Sequence, residues 1–336
     1  MIEFDPTCLN GQVLLGCLNC IFCQMKAMLI RRYGGPEGVE YGEVETPRPG
    51  PGEVQIKVRA SSVNPIDWMV RDGALKMFIR TPFPIILGVD FAGTVSSLGP
   101  GASRFAPGNE VYACTPHDNG AHAEFVSLPE NLVALKPKSL SFEEAASLPA
   151  VAMTALQILR DVCSGKRGQN VLVNGASGGV GVFAVQLAKA FEARVTGVCG
   201  PANAGFVRSL GADEVVDYRA QDFAGLSARY DVILDCVATR TYWNSRRALV
   251  RGGVFVSTMP TPAAFVAGAL SSFGSTKAKT FILKPNGTDL EYLSGLIEQR
   301  RIRPVVERIF PIEKLGEALA YSKTGHARGK IVLSVG

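Results

Sequence analysis

Residues 171–190 read VLVNGASGGVGVFAVQLAKA: an apolar, β-branched run that passes through a glycine-rich turn straight into a helix-period sequence. Few folds satisfy both halves. A strand buried on both faces, followed at once by a helix that packs back on it, is the opening unit of a parallel sheet. The turn has the pattern Ala176-x-Gly178-x-x-Gly181. Gly178 lets the backbone approach a pyrophosphate, and Gly181 lets helix and strand pack closely. The helix N-terminus then offers free N–H groups and a positive dipole end to the anion. Ala176, Ser177, Gly178, Gly179, Val180 and Gly181 are therefore the expected dinucleotide contacts. Such a pattern is weak alone, but here strand, turn, helix and second strand fall at the right distances.

The alternation continues. RVTGVCG (194–200), EVVDY (214–218), YDVILDCVA (230–238) and GGVFVST (252–258) read as strands, with AGFVRSLGA (204–212) as a helix between the first two, so a doubly wound parallel sheet is predicted. Before it, from Lys26 to about Ala145, short β-type runs such as EVQIKVRASSV, DFAGTVSSLG, NEVYAC and AHAEFVSL alternate with Pro/Gly turns, the pattern of a β-rich unit. Ser141 and Glu144 form a capping box at the change of pattern. From about Pro285 two helical stretches and a last strand, GKIVLSV, close the chain.

The glycine turn also fits a hydrolase elbow, Gly175-x-Ser177-x-Gly179, with Asp235 and His326 following in hydrolase order. The crowding of glycines past Ser177, the β-rich region upstream and the lack of an oxyanion motif count against it. In a dinucleotide fold, an acid at the end of the second strand binds the ribose 2′-hydroxyl of NAD and repels a 2′-phosphate. That strand ends here in Cys199-Gly200-Pro201-Ala202-Asn203, with no acid before Asp213, which favours NADPH; Arg208 offers positive charge on the following helix.

The net charge of +5 in 336 residues is modest, and the basic run 299–303 ends a helical stretch, so a solvated turn is expected there and nucleic acid is not. No membrane span is expected: the uncharged stretch 252–276 is broken by Pro260 and Pro262. It reads as a strand and a short buried helix at a subunit contact. Cys114, Cys163, Cys199 and Cys236 stand isolated, as in a reduced, cytoplasmic protein. Cys17, Cys20 and Cys23, with Cys8 upstream, raise a metal question, yet Arg31 stands where a fourth cysteine seven residues on would fall.

From Met25 onward the sequence resembles the zinc-independent quinone oxidoreductase (zeta-crystallin-like) branch of the medium-chain dehydrogenase/reductase superfamily. The segments that carry the likeness are SSVNPIDWMVRDG, GVDFAGTV, LPAVAMTALQIL, NGASGGVGVFAVQLAKA, VRSLGADEVVDY and GHARGKIVL, in family order. The resemblance implies an α/β protein with a GroES-like β-rich catalytic domain from residues 25–146 and 285–336. A Rossmann doubly wound parallel sheet is inserted at 147–284, and residues 1–24 form an extension expected to be disordered. It implies a homodimer, and dinucleotide contacts from Gly200, Tyr218, Ser257 and Thr258 as well. A lysine that some relatives place after the second strand is Ala204 here. Zinc-dependent relatives hold their catalytic metal with Cys, His and Cys. The matching positions are Asn64, Val89 and Ala150, none a normal zinc ligand, and the structural zinc lobe after GNEVYA is missing, so no metal is expected.

Without a Lewis acid, the hydride acceptor must carry its own charge sink, as quinones and α,β-unsaturated carbonyls (enones, enals) do. Asn64 is then a candidate donor to the developing oxyanion, or else a turn residue before Pro65. Asp67 is a candidate substrate or nicotinamide contact, or else a helix cap. Residues 71–78, RDGALKMF, lack the tyrosine that some enoyl reductases of the superfamily use as proton donor, so solvent is the expected source. The family also contains structural lens proteins and nucleic-acid binders that keep the cofactor, and this is the alternative reading.

Overall fold

The computed structural model describes residues 24–77, 82–116, 120–225, 228–259 and 261–336. Cys8, Cys17, Cys20 and Cys23 lie outside the described residues, as do 78–81 of the loop after Met77 and Pro260. Gln24, assigned above to the extension, opens the first strand opposite Glu45.

The N-terminal part contains β1 (Gln24–Ile30), β2 (Val39–Glu45), β3 (Glu53–Ser62), α1 (Pro65–Arg71), β4 (Ile85–Ile86), β5 (Asp90–Leu98), β6 (Glu110–Cys114), β7 (Phe125–Pro129) and β8 (Val133–Leu135). Helices α2 (Phe142–Ala146) and α3 (Pro149–Gln157) follow. Ser141 caps α2, its Oγ accepting the Glu144 N–H while the Glu144 carboxylate accepts the Ser141 N–H, as the sequence pattern predicts. The run 121–128 divides. Its first half bridges β1 through Ala27 and Ala123, and only its second half joins β3 as β7.

The central part comprises β9 (Asn170–Asn174), α4 (Gly179–Ala190), β10 (Arg194–Cys199), α5 (Ala204–Ser209), β11 (Glu214–Asp217), β12 (Tyr230–Asp235), α6 (Tyr242–Ser245), β13 (Leu249–Ser257), α7 (Pro262–Ser271) and β14 (Lys277–Thr280). These six strands are parallel, in the order β11-β10-β9-β12-β13-β14, which is the doubly wound order 3-2-1-4-5-6. Val171, Val173, Val232, Leu234 and Val256 are buried with Phe183, Ala184 and Leu187 of α4, while Leu172, Val198, Ile233 and Phe255 enter a second cluster. Burial on both faces is why these strands read as unbroken apolar runs.

The chain returns through α8 (Gly287–Glu298), β15 (Val306–Pro311), α9 (Leu315–Lys323) and β16 (Lys330–Ser334). β16 pairs antiparallel with β3, Val332 opposite Ser62, so both ends of the chain build one sheet ordered β15-β16-β3-β5-β6-β8, with β7 also on β3. This pairing carries the start of β16 to the glycine turn.

Within the single chain the helix after Thr258 is open on one side: Phe265, Val266 and Leu270 on α7 are more than half exposed, and Phe273 just beyond is 97% exposed. Lack of charge was read as burial, whereas this helix covers β14 with one side and leaves its other apolar face open.

Candidate active site

Asp217 and Cys199 in one register, and Asn174, Asp235, Ser257 and Thr280 in another one residue short of it, line the carboxyl ends of the parallel strands, the edge at which open α/β sheets bind ligands. The turn after β9 sits at its centre. Gly175, not Ala176, makes the sharp bend: its φ is +80°, and a Cβ there would lie 2.6 Å from Val237. Ala176 is wholly buried, and its N–H donates to the Val198 oxygen at 3.0 Å. A Cβ on Gly181 would stand 2.1 Å from the Gly175 oxygen, so α4 rests directly on the turn. At Gly178 a Cβ would meet only the Gly175 oxygen, at 3.5 Å; beyond that the space is open. No side chain caps α4, which leaves the first-turn N–H groups of Gly179, Val180 and Gly181 without an acceptor from its cap residue Gly178. An uncapped helix end beside a cleared backbone fits a pyrophosphate.

The remaining expected contacts surround this turn. Gly200 follows β10 and faces Tyr218, whose ring a Cβ on Gly200 would approach to 3.5 Å; Tyr218 is half exposed. Asn203, in the same turn as Gly200, donates to Ser177 Oγ at 3.2 Å, and its own Oδ1 is buried without a partner. An orphaned acceptor there suits a ribose hydroxyl. Ser257 ends β13, and the Thr258 N–H donates to the Asp235 oxygen. The end of β10 presents no carboxylate of its own, as read from the sequence.

The hydrolase constellation does not assemble. Ser177 is not in the left-handed region, unlike a strained nucleophile. The Asp235 carboxylate is wholly buried and accepts from Asn174, Val237 and Arg240. Burial pushes its pKa up. His326 is exposed and shares no hydrogen bond with either residue.

The positions matched to metal ligands do come together, around a carboxylate. Asp90 Oδ2 accepts from Asn64 Nδ2 at 2.8 Å and from Ser62 Oγ at 3.0 Å, and Oδ1 accepts the Ala150 N–H at 2.7 Å. Lys330, the first residue of β16, enters the same space: Nζ donates to Asn64 Oδ1 at 2.6 Å and Val63 O at 2.8 Å, and lies 3.5 Å from Asp90 Oδ2. Asp90 and Lys330 are almost entirely buried. Burial lowers the Lys330 pKa, against the opposing pull of Asp90 and Asp67. Among the described residues no group of three or more His, Cys, Asp or Glu side chains could hold a metal ion. Lys330 was missed in the sequence, although a charge opening an otherwise apolar strand was a visible signal.

This changes the part given to Asn64. Both of its amide hydrogens go to protein acceptors, Asp90 and the Ser62 oxygen at 3.3 Å, so it is not a free oxyanion donor. Asp67 is buried and caps α1, accepting the Asn64 N–H at 2.7 Å. Behind it His122, wholly buried, meets Ser61 Oγ at 2.9 Å through Nδ1 and faces Asp67 at 3.5 Å through Nε2. Gly88, at φ +97°, makes room for that ring.

The family description "Alcohol dehydrogenase GroES-like domain" matches residues 50–138, and "Zinc-binding dehydrogenase" matches 210–333. The chain is 36% identical over 323 residues to a chloroplast envelope quinone oxidoreductase homolog of Arabidopsis thaliana, covering 92% of this chain and 98% of that one. It is 32% identical to a chloroplastic NADPH-dependent alkenal/one oxidoreductase of the same plant, covering 92% of this chain and 79% of that one. Its fold superposes on the quinone oxidoreductase from Coxiella burnetii with a TM-score of 0.85 at 32% identity, covering 93% of this chain and all of the other.

Proposed function

The chain belongs to the zinc-independent quinone oxidoreductase branch of the medium-chain dehydrogenase/reductase superfamily, and from that premise we propose that it reduces a quinone or an α,β-unsaturated carbonyl with NADPH. The observation that carries the reading is a glycine turn with an uncapped helix end, bridged at Gly178 to Gly329, beside a centre filled by Asn64, Val89, Ala150 and the Asp90–Lys330 pair. Such a centre has no Lewis acid to activate a simple alcohol, so the substrate must delocalise charge onto its own oxygen.

The bound dinucleotide supplies the hydride. The chain's residues hold and orient. The first-turn amides of α4 and the bare backbone of Gly178 receive the pyrophosphate. Gly200 and Tyr218 border the adenosine, and Ser257 and Thr258 border the nicotinamide half. Asn64, gripped by Asp90 and Lys330, and Asp67, capping α1, fix the wall of the substrate cleft, and the proton comes from water. The division into residues 25–146 with 285–336 and 147–284 belongs to this proposal. So does a homodimer, which the unpaired edge of β14 and the open apolar face of α7 support. The free, buried Cys114, Cys163 and Cys199 suit a reducing compartment, and the cytoplasm is proposed. No helix among the described residues is long and apolar enough to cross a membrane. A role confined to structure or nucleic-acid binding draws no support from a net charge of +5.

The test is a panel of quinones, enals and enones assayed with NADPH and with NADH. Turnover of either class with NADPH supports the proposal. Tight NADPH binding with no turnover of any member sinks it.

A further inference from the structure

We propose that a groove at the end of α1 remote from Asn64 is a second ligand site, built for a small organic monocarboxylate held on the Arg71 guanidinium. The proposal is independent of the reductase reading, and none of the residues lining the groove belongs to the cleft wall or the dinucleotide turn.

Three segments meet there: the turn between β1 and β2, the end of α1 and the end of α9. They surround an open cavity of about 520 Å³, lined by Gly34, Gly35 and Pro36 from the first, Arg71 and Asp72 from the second, and Lys323 from the third. That volume suits a small molecule. The Gly34 N–H donates to the Arg71 oxygen at 2.9 Å, which ties the turn to the helix. Asn64 caps the opposite end of α1, about 10 Å away along the helix axis.

Arg71 lies at the base of the groove with a side chain only 3% exposed. One edge of its guanidinium is taken, since Nε and Nη2 both meet Asp72 Oδ1, at 2.8 and 2.7 Å. The other edge is not: among the described residues the buried Nη1 has no acceptor. Asp72 cannot turn to serve it, because Oδ2 accepts Lys323 Nζ at 2.8 Å. Trp68, three residues earlier on the same face of α1, carries a second buried donor without a partner, Nε1, and Lys323 Nζ lies 5.5 Å from its ring centroid. Buried donors are normally paired, so the end of α1 lacks an acceptor.

Charge names that acceptor. Arg71 and Lys323 share the one carboxylate of Asp72, which leaves a positive charge over. A carboxylate matches the open edge of a guanidinium and its charge. Glu37 limits the ligand to a single negative charge: it is exposed, and its Oε2 would lie 2.5 Å from a Cβ on Gly35, so it stands at the rim and opposes a phosphate dianion. Pro36, Ala320 and the bare backbone of the glycine pair leave room for an apolar body.

The test follows Trp68 fluorescence in a Trp243→Phe background, where it is the one tryptophan, during titration with benzoate, benzamide and inorganic phosphate at constant ionic strength. Benzoate should give saturable quenching, with benzamide and phosphate at least about tenfold weaker, the value of one charge-assisted contact. Arg71→Gln should weaken benzoate by roughly tenfold. Should that buried change unfold the chain, two exposed ones decide: Lys323→Ala should weaken benzoate several-fold, by leaving Asp72 to repel it, and Glu37→Gln should strengthen it by about twofold or more. No saturable response to benzoate overturns the proposal. Equal binding of benzamide, or tighter binding of phosphate, overturns the ligand class. A benzoate affinity that neither Lys323→Ala nor Glu37→Gln moves places the benzoate elsewhere and overturns the site.

Discussion

Lys330→Met removes the one buried cation between Asn64, Val63 and Asp90 and leaves a carboxylate buried with only neutral donors. At 3.5 Å the Lys330–Asp90 attraction is about 5 kcal/mol for an effective dielectric of ~20. Removing one partner of a buried pair costs about 3–5 kcal/mol, because the other charge is stranded. The single variant should therefore lose about 3–5 kcal/mol of unfolding free energy. Asp90→Asn in the same chain relieves the stranded charge, so the double variant should be more stable than the sum of the singles by at least about 2 kcal/mol. Equilibrium urea unfolding of the four proteins measures this cycle. The protein has two tryptophans, so a Trp243→Phe background lets Trp68, on α1 beside Asn64, report the catalytic half. Additivity within about 0.5 kcal/mol would show that the two side chains are not energetically a pair, and the argument for a charge pair in place of a metal centre would fail.

Gly178→Ala should leave thermal stability nearly unchanged, since its Cβ enters open space, yet weaken NADPH binding by about tenfold or more as the methyl group enters the pyrophosphate's path. Gly181→Ala should do the reverse first, lowering the melting temperature because its Cβ lands on the Gly175 oxygen; thermal melts with and without NADPH separate the two. Burial alone would raise the Asp289 carboxyl, but hydrogen bonds from Arg160, Asn286 and Gln157 hold it below its ordinary value. A depressed carboxyl contributes stability above the unfolded value of about 4 and loses it as pH falls through the folded value, so Asp289→Asn should flatten the acid limb of a stability–pH profile. Leu270→Asp on α7 should abolish the proposed dimer in light scattering without changing the circular dichroism spectrum, because that side chain is already exposed in the single chain.

Periodicity and turn chemistry made most of the architecture readable. Strand β9, the turn and α4 follow from a β-branched run, glycines at set spacing and a helical repeat, because each of those signals is local. The capping box at Ser141 and Glu144 is local in the same way. What stayed hidden depends on residues far apart. Lys330 meets Asn64 only because β16 pairs with β3, a contact across nearly the whole chain, and the charge that opens β16 does not by itself name its partner. The open face of α7 has a related cause. Absence of charge shows that a surface avoids water, and it does not say whether this chain or another one covers it. Asn64 was found by position with two roles left open, because the spacing of a motif does not show which hydrogen bonds its members already make, and here the amide is spent on Asp90 and Ser62.

The proposed reaction is hydride transfer from NADPH in a centre that uses no metal. Its most direct measurement is NADPH oxidation, followed by nicotinamide absorbance, with phenanthrenequinone and with an alkenal as acceptors, on protein dialysed exhaustively against a zinc chelator and on the same protein with zinc restored. Turnover of at least one acceptor is expected, at a rate that neither chelation nor added zinc changes. Binding of NADPH without turnover of either acceptor, or turnover that disappears on chelation and returns with zinc, would contradict it.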